Sequence, residues 1–152
     1  WLAMRGLDRT KLDYVGNHEG WLEYKILQPD VRSPAAQAVV NDWNDESKWP
    51  PGWVAAYHGG RWYGMWNTVT TGWINISTKK GAAQQAGAGD GHYCAIDMEY
   101  APWYSRPQIL FQDGAYHRVM YRIAMNTQQI KEKRFVCEGT EYIVNDGHIV
   151  LL

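Results

Sequence analysis

The sequence predicts an α+β fold in which helices come early and antiparallel strands come late. One observation is a helical pattern of apolar side chains at residues 33–43. Another is a series of short apolar or alternating segments after residue 91, separated by glycines. The length of 152 residues fits one core of ordinary size. We therefore expect residues 1–152 to form a single domain.

The first half contains residues that mark where its helices begin and end. Ser33 is placed to cap the early helix, Pro34 suits its first turn, and the sequence KWPPG breaks the chain after it. Residues 53–58 have the composition of a short buried strand. A short helix is predicted to follow and to end near Gly72.

The second half is predicted to be mostly strand. Residues 79–91 are small, polar and glycine-rich, which indicates a loop. Residues 98–105 contain Pro102 and predict a short helix or a turn. Strands are predicted at 92–97, 115–125, 134–139, 141–146 and 148–152.

Composition and charge exclude few partners. The net charge is −1, so no global field recruits DNA or an anionic membrane. No apolar run approaches the roughly 20 residues of a membrane span. We expect a monomer without a membrane partner. Nine Trp and ten Tyr against two Phe favour half-exposed grooves as well as a core.

Cysteine and histidine spacing predicts no metal site. The two cysteines, Cys94 and Cys137, show neither zinc-ligand spacing nor a disulfide framework, and the sequence leaves open whether they pair. The five histidines are scattered along the chain. A nucleophile-elbow motif and a P-loop are also missing.

Three segments, taken in order, carry the functional signal: YHGG at 57–60, GHYCAIDMEYAPWYS at 91–105 and TEYIVND at 140–146. Together they resemble the H-Y-E class of ADP-ribosyltransferases, which includes the catalytic domains of poly(ADP-ribose) polymerases and diphtheria-type toxins. The resemblance covers Trp53 to Leu152, whereas residues 1–51 match nothing in that family.

The resemblance implies split antiparallel sheets around a cleft for NAD, the co-substrate. His58 matches the histidine that fixes a ribose hydroxyl, and Gly59 the glycine whose backbone binds the carboxamide. Tyr93 and Tyr104 match the two rings that clamp nicotinamide. Glu141 matches the catalytic glutamate.

The chemistry of the reaction that the resemblance implies requires residues of these types. Breaking the bond between nicotinamide and ribose passes through an oxocarbenium-like transition state, which a nearby carboxylate stabilises. Duller interpretations remain: His58 as a polar residue at a strand end, Tyr93 and Tyr104 as core aromatics, and Glu141 as a strand-edge charge. Glu138 is a competing carboxylate.

The sequence also departs from the family pattern. Gly60 and Ala101 stand where relatives have hydroxyl side chains, and Gly139 stands where arginine-specific relatives have Glu or Gln. Tyr93 and Glu141 are only 48 positions apart, which favours single transfer over polymer synthesis. An NAD glycohydrolase and an inactive module that binds NAD or ADP-ribose are the alternatives, and the sequence leaves the acceptor open.

Overall fold

The structure is a computed structural model that describes residues 10–18, 20–77, 89–109, 114–136 and 139–152. In these ranges the chain is a mixture of helices and antiparallel strands, as predicted. The strands are β1 (Leu12–His18), β2 (Trp21–Ile26), β3 (Trp53–Gly60), β4 (His92–Cys94), β5 (Val119–Asn126), β6 (Ile130–Val136), β7 (Gly139–Val144) and β8 (Ile149–Leu151). The α-helices are α1 (Pro34–Asn41) and α2 (Trp62–Thr71). A 3₁₀ turn, Ala101–Tyr104, follows β4.

Two three-stranded sheets form the body of the fold. The first sheet has the order β3-β5-β8 and the second sheet the order β4-β7-β6, with every pair antiparallel. The sheets touch where Tyr57 and Ala95 exchange two backbone hydrogen bonds of 2.7 and 2.9 Å. Beyond this bridge, His58–Gly60 remain paired with β5 in the first sheet.

The start of α1 and the end of α2 confirm the predictions, whereas α1 ends at Asn41, two residues before the predicted end at Trp43. The Ser33 hydroxyl caps α1 by accepting a hydrogen bond from the Ala36 amide at 3.1 Å, and Pro34 is the first residue of α1. Gly72 ends α2 with φ of 68°, a left-handed conformation that glycine adopts without strain.

The expectation that helices lead the chain was wrong for residues 12–26. These residues form the β1–β2 hairpin, with a turn at Gly20. Of its side chains whose burial is described, only Leu12 and Ile26 are buried, and they face each other across the hairpin. Strand β2 does carry the alternation that identifies a strand, since Leu22, Tyr24 and Ile26 are separated by Glu23 and Lys25, so this part of the hairpin was predictable from the sequence.

The later strands differ in extent from their prediction. Strand β4 stops at Cys94 rather than residue 97, β5 begins at Val119 rather than residue 115, and β6 begins at Ile130 rather than residue 134. Most of the predicted loop at 79–91 lies outside the described residues.

Alternate residues of β5 serve two hydrophobic clusters. Ile123 and Met125 pack with α2, β4 and the base of the hairpin, whereas Ala124 packs with α1 and Val150. The first sheet is therefore covered on both faces. In the described part of the chain, no helix has the length and apolar character needed to cross a membrane.

Candidate active site

His58 lies near the end of β3, one residue after the Tyr57–Ala95 bridge that joins the two sheets. Its Nδ1–H donates a hydrogen bond of 2.6 Å to the Tyr93 carbonyl oxygen, which leaves the lone pair on Nε2. Burial lowers the pKa of His58, and the bond to Tyr93 offsets part of that effect. The ring is stacked on Tyr121 with centroids 6.0 Å apart. The imidazole is therefore a neutral hydrogen-bond acceptor at physiological pH.

Gly59 and Gly60 are glycines because neighbouring groups lie too close for a side chain. A Cβ at Gly59 would lie 2.1 Å from the Ala101 carbonyl oxygen and 3.0 Å from Cβ of Tyr104. A Cβ at Gly60 would lie 2.3 Å from the Tyr121 ring. Since a serine or threonine at position 60 would collide with that ring, this departure from the family pattern has a packing cause.

The Gly59 backbone faces the second sheet. Tyr57 directs its N–H and C=O away from β5, towards Ala95. Backbone groups alternate in direction along a strand, so Gly59, two residues later, directs its own N–H and C=O to the same side. This orientation suits the backbone contacts that a carboxamide needs.

Tyr104 ends the 3₁₀ turn, between Gly59 and Glu141. Its hydroxyl donates to the Glu141 carboxylate, and the Tyr100 hydroxyl donates in turn to the Tyr104 oxygen. The rings of Tyr100 and Tyr104 meet edge to face, with centroids 5.4 Å apart. Burial, together with the bond to Tyr104, raises the pKa of Tyr100.

Glu141 is a buried carboxylate on β7, with 3% of its side chain exposed. Its cross-strand neighbour Arg134 places Nη1 3.6 Å from Glu141 Oε2. Burial raises the pKa of Glu141, whereas Arg134 and the Tyr104 hydroxyl lower it and Glu132 adds a smaller upward effect. These partners favour the ionised form that burial opposes.

Tyr93 lies on β4, opposite Ile143 of β7. Its hydroxyl donates a 2.7 Å hydrogen bond to the Gly89 carbonyl oxygen, and its own carbonyl accepts from His58. The side chain is half-buried.

The structure brings all five predicted site residues into one set of contacts. His58 is bonded to Tyr93, Gly59 packs on Tyr104, and Tyr104 is bonded to Glu141. Three segments far apart in sequence are therefore joined by direct contacts. Glu138, the carboxylate that competes with Glu141, and Cys137, whose pairing with Cys94 the sequence left open, lie outside the described residues.

Cys94 is buried, with its sulfur 3.4 Å from the Met125 sulfur. Burial raises the pKa of this thiol to about 12, with a smaller effect of Glu141 in the same direction. It is therefore a packing residue rather than a nucleophile. Within the described ranges, no three His, Cys, Asp or Glu side chains are grouped so that they could hold a metal ion.

Sequence reasoning missed two members of the site, Tyr100 and Arg134. Tyr100 had a weak signal, because it precedes Tyr104 by four residues within the same motif. Arg134 had none, because its place beside Glu141 depends on the register of β6 against β7.

Comparison of the sequence with models of known protein families found no match, and no curated protein matches it. The arrangement itself combines a neutral imidazole acceptor, a glycine backbone facing the second sheet and a buried carboxylate with two partners. Such a set can bind hydroxyl and amide groups and can stabilise a positive charge that develops next to the carboxylate.

Proposed function

We propose that this protein is an NAD-dependent ADP-ribosyltransferase that cleaves the bond between nicotinamide and ribose and transfers a single ADP-ribose. The observation that carries the proposal is the contact set His58–Tyr93, Gly59–Tyr104 and Tyr104–Glu141. It joins the three segments that resemble the H-Y-E motifs. The proposal extends to the fold: two antiparallel sheets that meet at one bridge are compatible with the split-sheet architecture of that class.

His58 and Gly59 are assigned to ground-state binding. The His58 Nε2 lone pair accepts a hydrogen bond from a ribose hydroxyl, because Nδ1 is committed to the Tyr93 carbonyl. Gly59 offers its N–H and C=O to the carboxamide from near the end of β3. Tyr93 and Tyr104 supply the two aromatic rings for the flat nicotinamide, which stacks with a favourable energy of about 1–3 kcal/mol per ring.

Glu141 is assigned to the transition state. The departing nicotinamide takes the bonding electrons, and positive charge develops on the ribose ring. An ionised carboxylate in a water-poor site stabilises that charge more strongly than it would in water. Arg134 and Tyr104 support the ionised form of Glu141. Because only 3% of the Glu141 side chain is exposed, a ribose reaches the carboxylate only after one of the groups that cover it moves.

Single transfer is the expected mode. Tyr93 and Glu141 are only 48 positions apart, which leaves little chain for the loops that would hold a growing polymer.

Incubation with labelled NAD and a cell extract tests the proposal. Free nicotinamide should appear together with label on a macromolecule or a small molecule. Parallel treatment with protease and nuclease then identifies the acceptor class. Nicotinamide release without any labelled product would make the protein a glycohydrolase. A thermal shift with NAD and no turnover would make it a binding module. If NAD produces neither turnover nor a thermal shift, the assignment to NAD is overturned.

A further inference from the structure

Tyr100 contacts the candidate active site through Tyr104. It lies just before the 3₁₀ turn, four residues ahead of Tyr104, and it is 4% exposed. Its hydroxyl is hydrogen-bonded to the Tyr104 hydroxyl, and the two rings meet edge to face. Within the described ranges, the Tyr100 hydroxyl has no other hydrogen-bond partner. A single polar contact therefore fixes the direction in which this buried hydroxyl points its proton.

The Tyr100 ring is held in place by the start of β7. A Cβ at Gly139 would lie 3.0 Å from both Cγ and Cδ2 of Tyr100, so the ring packs directly on the backbone of that strand. The Tyr100 amide donates to the Asp97 carbonyl oxygen at 3.3 Å, and the Tyr100 carbonyl accepts from the Trp103 amide at 3.2 Å. The hydroxyl is therefore presented by a ring that is fixed both at its backbone and at its face.

Tyr100, Tyr104 and Glu141 form a hydrogen-bond chain with one direction. An ionised carboxylate only accepts hydrogen bonds, so the Tyr104 hydroxyl is the donor to Glu141. The proton of Tyr104 is then committed, and the bond between the two hydroxyls requires Tyr100 to be its donor.

The chain is stronger when it ends on a charge. Hydrogen bonds to an ionised acceptor are the stronger ones, and each bond in a chain polarises the next. A donor on the Tyr104 oxygen therefore makes Tyr104 a better donor to the Glu141 carboxylate, and it also opposes rotation of the Tyr104 hydroxyl away from it.

We propose that Tyr100 is a positioning residue of this site: by donating to the Tyr104 oxygen, it holds the Tyr104 hydroxyl on the Glu141 carboxylate and keeps that carboxylate ionised. Tyr100 acts through Tyr104 alone. Its effect on catalysis rests on the proposed function, whereas its effect on the protonation of Glu141 does not.

The other charged or titratable groups that face Glu141 come from neighbouring strands. Arg134 of β6 favours the ionised form, and Glu132 of the same strand opposes it. Cys94 of β4 is a neutral thiol, because burial raises its pKa to about 12. Tyr100 is neutral as well, because burial raises its pKa. Its replacement by phenylalanine therefore removes one hydrogen bond and changes no charge.

NMR titration of the glutamate carboxyl carbons, in the folded protein without NAD, measures the pKa of Glu141, and Glu141→Gln identifies its signal. Tyr100→Phe should raise that pKa by about 0.4–1 pH unit, the equivalent of one hydrogen bond. In the Tyr104→Phe background the same change at Tyr100 should leave the pKa of Glu141 within about 0.3 pH unit, because the connecting hydroxyl is missing.

Tyr142→Phe is the matched control. It removes a hydroxyl from the residue next to Glu141 on β7, whose side chain faces Lys133 on the opposite side of the second sheet. The pKa of Glu141 should stay in place in this variant. An equal rise in Tyr142→Phe and Tyr100→Phe would overturn the proposal, because the effect would then not depend on the chain through Tyr104.

The proposal is also overturned if Tyr100→Phe leaves the pKa of Glu141 unchanged or lowers it, or if the rise is equally large in the Tyr104→Phe background. If Tyr100→Phe does not fold, Gly139→Ala decides, since its Cβ displaces the Tyr100 ring. The pKa of Glu141 should rise in Gly139→Ala, and an unchanged or lower value would overturn the proposal.

Kinetics separate this proposal from the proposed function. In a protein that consumes NAD, Tyr100→Phe should move the acidic limb of the kcat profile to higher pH and leave KM for NAD within a few-fold. Absence of NAD turnover in the wild type would refute the proposed function, and the NMR titration would still decide the role of Tyr100.

Discussion

Arg134 and Glu141 are cross-strand neighbours on β6 and β7, and the guanidinium Nη1 lies 3.6 Å from the carboxylate Oε2. The arginine side chain is 35% exposed, whereas the glutamate side chain is 3% exposed. The positive member of the pair is therefore partly in solvent, whereas the negative member is buried. With the Tyr104 hydroxyl on the carboxylate as well, two groups offset the cost of burying Glu141.

Glu141→Gln tests the catalytic assignment. The change keeps the size of the side chain and removes the charge, so we expect kcat for nicotinamide release to fall by at least about 10²-fold. Affinity for NAD should stay within a few-fold, because the ring charge exists mainly in the transition state.

Glu138→Gln is the control for Glu141, since it removes the other glutamate of the same segment. It should leave turnover nearly unchanged. Loss of turnover in Glu138→Gln alone would show that the motif alignment is wrong. If both variants turn over NAD like the wild type, the H-Y-E assignment itself fails.

Arg134→Gln should change the pH dependence of catalysis. Arg134 lowers the pKa of Glu141, so its removal raises that pKa further above the ordinary value of 4.5. Because the proposed mechanism requires the ionised carboxylate, the acidic limb of the kcat profile should move to higher pH. Measurement of kcat from about pH 4.5 to pH 8 reveals the limb.

Lys133→Gln is the matched control for Arg134. It removes a positive charge from the adjacent position of β6, whose side chain faces Tyr142 on the opposite side of the second sheet. The limb should stay in place in this variant. An equal displacement in both variants would mean that net charge, rather than the pairing with Glu141, sets the profile.

Two substitutions at Tyr104 separate its ring from its hydroxyl. Tyr104→Phe keeps the ring and loses the bond to Glu141, so NAD affinity should hold while the acidic limb moves to higher pH. Tyr104→Ala should also weaken NAD binding by about 1–3 kcal/mol. Isothermal titration with NAD and a kcat profile distinguish the two effects. A large loss of stability in Tyr104→Ala with unchanged NAD affinity would identify the ring as core.

How much the sequence could predict depends on how local each cause is. The caps at Ser33 and Gly72 and the strand that carries His58 follow from residues within a few positions, and the structure agrees with them. The partners of the site depend on distant pairing. Arg134 meets Glu141 only because β6 and β7 pair in one register, and Gly60 is required by the ring of Tyr121 from another strand.

His92 supports a prediction about stability that does not depend on NAD. Its ring is 1% exposed, packs edge to face on Trp73, and contacts Asp146 through Nε2 at 3.2 Å. Burial lowers the pKa of His92 to about 4, and Asp146 offsets part of that shift. The unfolded chain therefore binds a proton near pH 6.5, well before the folded protein does.

Because the unfolded chain is protonated first as the pH falls, acidification destabilises the folded protein. The contribution of His92 to the free energy of unfolding is complete above about pH 6.5 and falls as the pH decreases towards about 4. The loss is on the order of 3 kcal/mol at the acidic end. Urea unfolding at a series of pH values should show this loss, and His92→Asn should make that part of the curve shallower, while His58, whose pKa burial also lowers, keeps its own contribution in both proteins. Glu141 acts in the opposite direction, since its raised pKa makes ionisation destabilising as the pH rises. The comparison is therefore made with Glu141→Gln present in both proteins.

In the same Glu141→Gln background, Asp146→Asn removes the group that raises the pKa of His92, so the decline in stability should extend to lower pH. An unchanged slope in His92→Asn would mean that this histidine accepts its proton as readily in the folded protein as in the unfolded chain.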